Sequence, residues 1–393
     1  MHVGHFTNTY HPSISGVVRS VASFRQGLTE LGHNVFIFTQ DAGDYLEVES
    51  FIFRYLSINL GLPNEFPATI PVSLFMDRLI PLLKLDLIHA HHPILLGQIA
   101  ANKAEELDIP LVFTFHTRYR EYSHYIPIPQ DIVQDFFKGA IDLWLQDFIQ
   151  KCDHVVVPSE SMRSVLAERY GFTDKVTVVP TGIDLRPYEG LDAEPIRQEK
   201  GWGDDIVITS VGRLGEEKNW PTLIKAVAAL ATNQPRVRLV VIGEGPEHKH
   251  LHKLSKELGI AERVDFIGKV SFETIPSYLK ASDLFAFAST TETQGLVTLE
   301  AMAAGLPVVA VDAVGTRDFI EHEENGLLAQ NDAASIARAI ELILNDENIY
   351  QHFSESSKRK ARSLEFRTQA RKMTLVYEEA IASKKEFQAK AMN

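Results

Sequence analysis

The chain has 393 residues, enough for two domains with a core each. Its 45% hydrophobic and 23% charged content is that of a globular protein, not a disordered or fibrous one. A net charge of −13 argues against nucleic acid as a partner and gives no general attraction to an anionic bilayer.

The single cysteine, Cys152, excludes an internal disulfide framework, and no apolar run approaches the roughly 20 residues of a membrane span. Residues 3–6 read as a first strand with no basic segment before it, so a secretory leader is not expected and a reducing, cytoplasmic setting is. A polar loop follows, then a helix to about residue 31. Gly16 stands where loop meets helix, either as a turn glycine or to let a phosphate approach the backbone. Without a G-x-G-x-x-G run, a dinucleotide site is disfavoured. Residues 32–39 read as a turn and then a strand. Residues 58–85 are apolar and punctuated by Pro63, Pro67, Pro71 and Pro81. Leu74, Phe75, Leu79, Ile80, Leu82 and Leu83 would share a helical face there. With only Arg78 and Lys84 as basic companions, burial of that face on the sheet is preferred over membrane contact.

Residues 86–93 read as a strand ending in His89, His91 and His92. His89 and His91 share a strand face, but no third ligand accompanies them, so no metal is expected. Residues 111–115 are a strand that delivers His116. The aromatic stretch after it carries Tyr119, Tyr122, His124 and Tyr125, which either pack on a helix at about 130–151 or line an acceptor mouth. Ser159 caps a helix, and residues 176–180 close the first α/β half. The domains are expected at 1–187 and 188–365, with a charged C-terminal helix at about 366–390.

The second half restarts the α/β pattern. A strand at 205–211 feeds Gly212-Arg213-Leu214-Gly215-Glu216-Glu217-Lys218-Asn219 and a helix near Trp220-Pro221. Arg213 and Lys218 are either two solvated charges or a clamp for a diphosphate, with Arg213 as a bidentate fork and Lys218 as a point charge. His248, His250 and His252 fall on a solvent face of a later helix. Residues 264–270, with Gly268 and Val270, are strand then loop. An apolar strand at 283–287 is followed by a polar loop, a short helix, a Gly305-Leu306-Pro307 turn and a buried strand. That loop lies at a strand's carboxyl end and feeds a helix N-terminus, where open α/β sheets bind ligands. The first helical turn, with Gln294, Gly295, Leu296 and Val297, offers unpaired N–H groups and a positive dipole end to an anion. Glu292 and Glu300 flank it.

Glu292 and Glu300 form E-x7-E, continued as Glu-Ala-Met-Ala-Ala-Gly-Leu-Pro-Val-Val-Ala. With Arg213 and Lys218, this resembles the retaining, nucleotide-sugar-dependent glycosyltransferases of family GT4. The resemblance covers nearly the whole chain. It implies the GT-B fold: α/β, with two Rossmann-like, doubly wound parallel-sheet domains facing a deep cleft. It also makes residues 86–93 the fourth sheet strand and the C-terminal helix a segment returning to the first domain. The wording Pro12-Ser13-Ile14-Ser15-Gly16-Val17-Val18 and His116-Thr117…His124-Tyr125-Ile126 is similar to the diacylglycerol glucosyltransferases.

The resemblance implies roles residue by residue. Gly16 faces the donor diphosphate, His116 faces the transferred sugar, and Arg213 and Lys218 hold the diphosphate. Glu292 contacts the sugar, Glu300 binds the ribose, and the backbone around Gly268 and Val270 cradles the base. The expected reaction moves glucose from UDP-glucose to a diacylglycerol-type lipid with retention, giving an α-glycolipid without a metal or cofactor. A peripheral enzyme at the inner face of the membrane follows from such an acceptor. GDP-mannose as donor, and a polysaccharide, phosphoinositide or small-metabolite acceptor, are the alternatives. A glycoside hydrolase needs carboxyls about 5–9.5 Å apart. Glu292 and Glu300 would be about 12 Å apart along a helix, but the first is in a loop, so spacing alone does not exclude it; no other acid pair presents itself. The full set of matching residues argues against a non-catalytic nucleotide-binding protein.

Overall fold

The computed structural model describes residues 1–58, 68–70, 73–119 and 133–391. The chain divides into two units, Met1–Gly182 with Phe366–Asn393, and Ile183–Glu365. The division falls at 182, not 187. Ile183 N donates to Leu364 O at 2.9 Å and Ile183 bridges to Glu365, which ties the segment to the second unit.

The first unit is built on β1 (His2–Phe6), β2 (Asn34–Gln40), β3 (Ile52–Tyr55), β4 (Leu87–Ala90), β5 (Leu111–Thr114), β6 (His154–Val157) and β7 (Val176–Val178). All pair in parallel in the order β3-β2-β1-β4-β5-β6-β7. The chain winds outward from β1 in one direction and then from β4 in the other, so a topological switch lies between those two strands. Their short apolar runs are buried on both faces, as covered parallel strands require. The Gly16–Glu30 and Phe366–Ala391 helices cover one face. Val21, Phe24 and Leu28 of one join Ala370, Met373 and Tyr377 of the other in a single core with Val3 and Ile37. They cross closely: a Cβ on Gly27 would sit 2.6 Å from Ala370 Cβ.

The second unit repeats the plan with β8 (Ile206–Val211), β9 (Val237–Ile242), β10 (Val264–Gly268), β11 (Leu284–Phe287), β12 (Val308–Val311) and β13 (Gly326–Ala329). The order is β10-β9-β8-β11-β12-β13. Its switch lies between β8 and β11, which sets the loops leaving those two strands side by side.

The apolar helix of residues 58–85 departs from expectation. It spans Leu74–Leu82, with Ser73 Oγ accepting from Met76 N at 3.3 Å. Only Met76 and Ile80, one turn apart, are buried in it, while Leu74, Phe75 and Leu82 are exposed at 74%, 63% and 76%. Burial of the whole apolar face is therefore corrected. One i,i+4 stripe meets the unit, and Phe75 and Leu82, seven apart, share a face turned away from it.

Candidate active site

The second unit gathers charge at its switch point. The Gly212–Asn219 loop leaves β8 and is pinned at both ends. Gly212 N donates to Ile242 O at 2.9 Å, Leu214 N to Glu244 O at 2.9 Å, and Trp220 Nε1 to Arg213 O at 2.9 Å. Asn219, at φ 55°, caps the following helix and sends its Nδ2 to Ala288 O at 3.3 Å, just beyond β11. That tie sets Lys218 against the β11 loop, where its Nζ donates to Glu292 Oε1. Ser289 Oγ donates to the same oxygen at 2.7 Å. Both side chains of the Lys218–Glu292 pair are 16% exposed. Burial pushes the Glu292 carboxyl up, but the Lys218 charge and the Lys218 and Ser289 hydrogen bonds outweigh it and leave the group below its ordinary value. Glu292 is thus an anion at neutral pH.

This pair borders a helix N-terminus. Gly295, at φ 71°, precedes the Leu296–Ala304 helix, and among the described residues no side chain caps it. A Cβ on Gly295 would have Thr298 Oγ1 at 3.6 Å and Glu292 Cγ and Thr316 Oγ1 at 3.7 Å. Gln294 and Glu300 are buried, and Leu296 and Val297 are half-buried in the first turn. The arrangement offers a cation, a carboxylate and a positive dipole end within one loop system, suited to an anionic ligand with a polar neighbour. Arg213 is exposed on the same Gly212–Asn219 loop. Gly268 ends β10 at φ 79° with its carbonyl accepting from Gly243 N at 2.9 Å, and half-buried Val270 follows.

In the first unit Gly16 opens the Gly16–Glu30 helix behind a Ser15 cap, whose Oγ accepts from Val18 N at 3.2 Å. His116 leaves the carboxyl end of β5 and its ring stacks on His91, with centroids 5.1 Å apart. Tyr119 is half-buried against Phe115, ring centroids 6.2 Å apart, so it packs on the strand end. Tyr122, His124 and Tyr125 lie outside the described residues.

Several residues escaped the sequence reading. Ser289, fully buried, orients Glu292. Gly315 at φ 79° passes so close that its Cβ would lie 2.5 Å from Glu292 O, and Thr316 follows it against Gly295. Their position after β12, an inner strand, was the available signal. The third ligand type found missing beside His89 and His91 is present: His5, in parallel register with His89, brings three imidazoles together.

Two family models match, Glycosyltransferase Family 4 over residues 14–186 and Glycosyl transferases group 1 over residues 192–360. Alpha-monoglucosyldiacylglycerol synthase of Streptococcus pneumoniae is 30% identical over 371 residues, spanning 90% of this chain and 80% of that one. The chain belongs to glycosyltransferase family 4. The glycosyltransferase is also 28% identical to alpha-monoglucosyldiacylglycerol synthase of Acholeplasma laidlawii over 358 residues, 88% of this chain and 89% of the other. Its fold is GT-B. Alr3699/HepE of Anabaena, solved in complex with UDP-glucose, superposes with a TM-score of 0.77 at 21% identity, covering 98% of this chain and all of the other. The sucrose-phosphate synthase of Thermosynechococcus elongatus gives 0.75 at 21% identity, over 97% and 99% of the two chains.

Proposed function

We propose that this glycosyltransferase moves glucose from UDP-glucose to a diacylglycerol-type lipid with net retention, giving an α-glucolipid. The observation that carries the donor side is the Lys218–Glu292 pair set at the N-terminus of the Leu296–Ala304 helix. Transfer creates negative charge on the departing diphosphate and positive charge at the anomeric carbon. Lys218, Arg213 and the helix N-terminus serve the first, so no metal is required. Glu292, ionised, serves the second. Glu300 holds the ribose, the backbone at Gly268 and Val270 receives the base, and Gly16 and His116 of the first unit serve the diphosphate and the sugar. On a front-face route the leaving phosphate oxygen takes the acceptor's proton, so no protein base is needed. The lipid acceptor is supported by the two diacylglycerol-glycolipid synthases among the relatives. The exposed Leu74, Phe75 and Leu82 fit peripheral contact with a cytoplasmic membrane face.

The test is purified protein with UDP-glucose, with and without diacylglycerol in mixed micelles, following UDP and lipid product. Lipid-dependent UDP release with an α-linked glucolipid is expected. UDP release without glucolipid would move the acceptor to a soluble hydroxyl, and binding of GDP-mannose in place of UDP-glucose would overturn the donor.

A further inference from the structure

Two hydroxyls border the glycine that opens the Leu296–Ala304 helix. A Cβ on Gly295 would have Thr298 Oγ1 at 3.6 Å and Thr316 Oγ1 at 3.7 Å. The first is already used, because Thr298 Oγ1 donates to Gly295 O at 2.7 Å. The second is not. Thr316 is fully buried, and its Oγ1 has no hydrogen-bond partner among the described residues. It does not cap the helix either, since among those residues no side chain does.

A buried hydroxyl without a partner keeps its desolvation cost and gains nothing in return. Native interiors hold few such groups, so each calls for a cause. The backbone that carries this one is fixed. Asp312 N donates to Ala329 O at 2.9 Å, and Arg317 N donates to Ala313 O at 3.0 Å. Arg317 Nε pairs with Asp312 Oδ1 at 2.9 Å. Gly315 runs so near the other loop that an added Cβ would lie 2.6 Å from Thr293 C as well as 2.5 Å from Glu292 O. The loop after β12 is thus set against the loop after β11, with the Thr316 hydroxyl beside the helix N-terminus.

A phosphate oxygen suits that position. It accepts several hydrogen bonds at once, so it can take the N–H groups of the first helical turn and a hydroxyl together. A sugar hydroxyl would instead find its acceptor in the Glu292 carboxylate, whose Cγ lies 3.7 Å from the same Cβ position. We propose that Thr316 is a further diphosphate-binding residue, whose hydroxyl donates to a phosphate oxygen of the donor held at the Gly295 end of the helix. This rests on the reading of that N-terminus as the diphosphate site. The free protein leaves the hydroxyl unpaired, and the donor pairs it.

The test is calorimetric titration of the full-length protein with UDP, GDP and UDP-glucose, beside thermal melts without ligand. Thr316→Val should weaken UDP binding about 10-fold to 100-fold, the scale of one hydrogen bond to a charged acceptor. It should melt no lower than the wild type, because the hydroxyl it loses bonds nothing in the free protein. Thr316→Ser keeps the hydroxyl and should bind UDP as the wild type does. Thr39 Oγ1, in β2 of the first unit, is also buried without a partner among the described residues, so Thr39→Val makes the same change elsewhere and should leave UDP binding alone. Unchanged UDP affinity in Thr316→Val overturns the proposal. So does a loss confined to UDP-glucose, which would move the contact to the sugar. A lowered melt of free Thr316→Val, or equal losses in Thr316→Ser or Thr39→Val, overturns it too, since the hydroxyl would then be structural or the effect general. Wild type that binds neither UDP nor GDP overturns the donor reading itself, and that outcome is separate because it involves no variant.

Discussion

Acid should unfold the first unit well before the second. The perturbation is protonation of His5, His89, His91 and His92, all buried in Met1–Gly182. Their ordinary value is 6.5. In the folded protein burial takes His5 to about 3 and His92 to about 4, with the Arg25 charge adding to the fall at His5, and His89 and His91 lie well below 6.5. The groups are depressed bases, so below pH 6.5 the unfolded chain binds protons that the native chain does not, and stability falls with pH until the folded values are reached. Each ring removes about 1.4 kcal/mol per pH unit in that window. Four acting together remove on the order of 5 kcal/mol per unit and about 8 kcal/mol by pH 5, against a total stability of roughly 5–15 kcal/mol. Among the described residues the second unit has no buried histidine, and its ionised Glu292 keeps its contribution until the pH falls through a lowered carboxylate value. Pulsed hydrogen exchange with peptide resolution, run from pH 7 to 4 beside far-UV circular dichroism, reads this. Residues 1–58 and 87–119 should lose protection near pH 5 while β8–β13 remain protected. Full protection of the first unit at pH 4 would refute the reasoning, because the stability lost to protonation of the unfolded chain would then be too small to matter.

Further outcomes follow from the geometry. Lys218→Met removes the cation paired with Glu292 and should lower kcat/KM for the donor about 100-fold or more, the scale of one lost charge stabiliser. Glu292→Gln should add little on top, since the two act as a unit, and steady-state kinetics of both single variants and the double variant reads the coupling. Gly27→Val drives a side chain into Ala370 at the crossing of the Gly16–Glu30 and Phe366–Ala391 helices and should destabilise the first unit by about 1–3 kcal/mol or more. Gly139→Ala, where an added Cβ meets none of the described residues within 4 Å, should instead gain roughly 0.5–1 kcal/mol by helix propensity, and thermal melts of the two separate packing from propensity.

Legibility in the sequence followed locality. The β11–loop–helix–β12 stretch could be read because its signals are adjacent: an apolar run, a polar loop, Gly305 at φ 87° closing the helix, then Pro307. The pairing of Lys218 with Glu292 could only be anticipated as a shared ligand, because it depends on β8 and β11 being neighbours, a fact of sheet order and not of spacing. His5 stayed hidden for the same reason. It lies 84 residues from His89, and only the parallel register of β1 on β4 makes them partners. Periodicity misled for Leu74–Leu82, since it identifies an apolar face without identifying what covers it. Gly315 and Thr316 lie in an unremarked loop, and a close backbone approach leaves no trace in residue type beyond the glycine itself.

The two switch points solve opposite electrostatic problems with the same topology. In the first unit the polar groups beside β1, β4 and β5 are histidines, buried among one another without a carboxylate in the cluster, so the neutral form wins and every link is a hydrogen bond between uncharged partners. In the second unit the loops after β8 and β11 carry Lys218 and Glu292 beside a helix N-terminus, and the lysine charge outweighs the cost of burial, so the ionised form wins. The proposed transfer, in which charge develops at a departing diphosphate and at an anomeric carbon, calls on the charged pair of the second unit. A neutral imidazole offers hydrogen bonds without adding a field, whereas a charged pair stabilises charge that develops beside it.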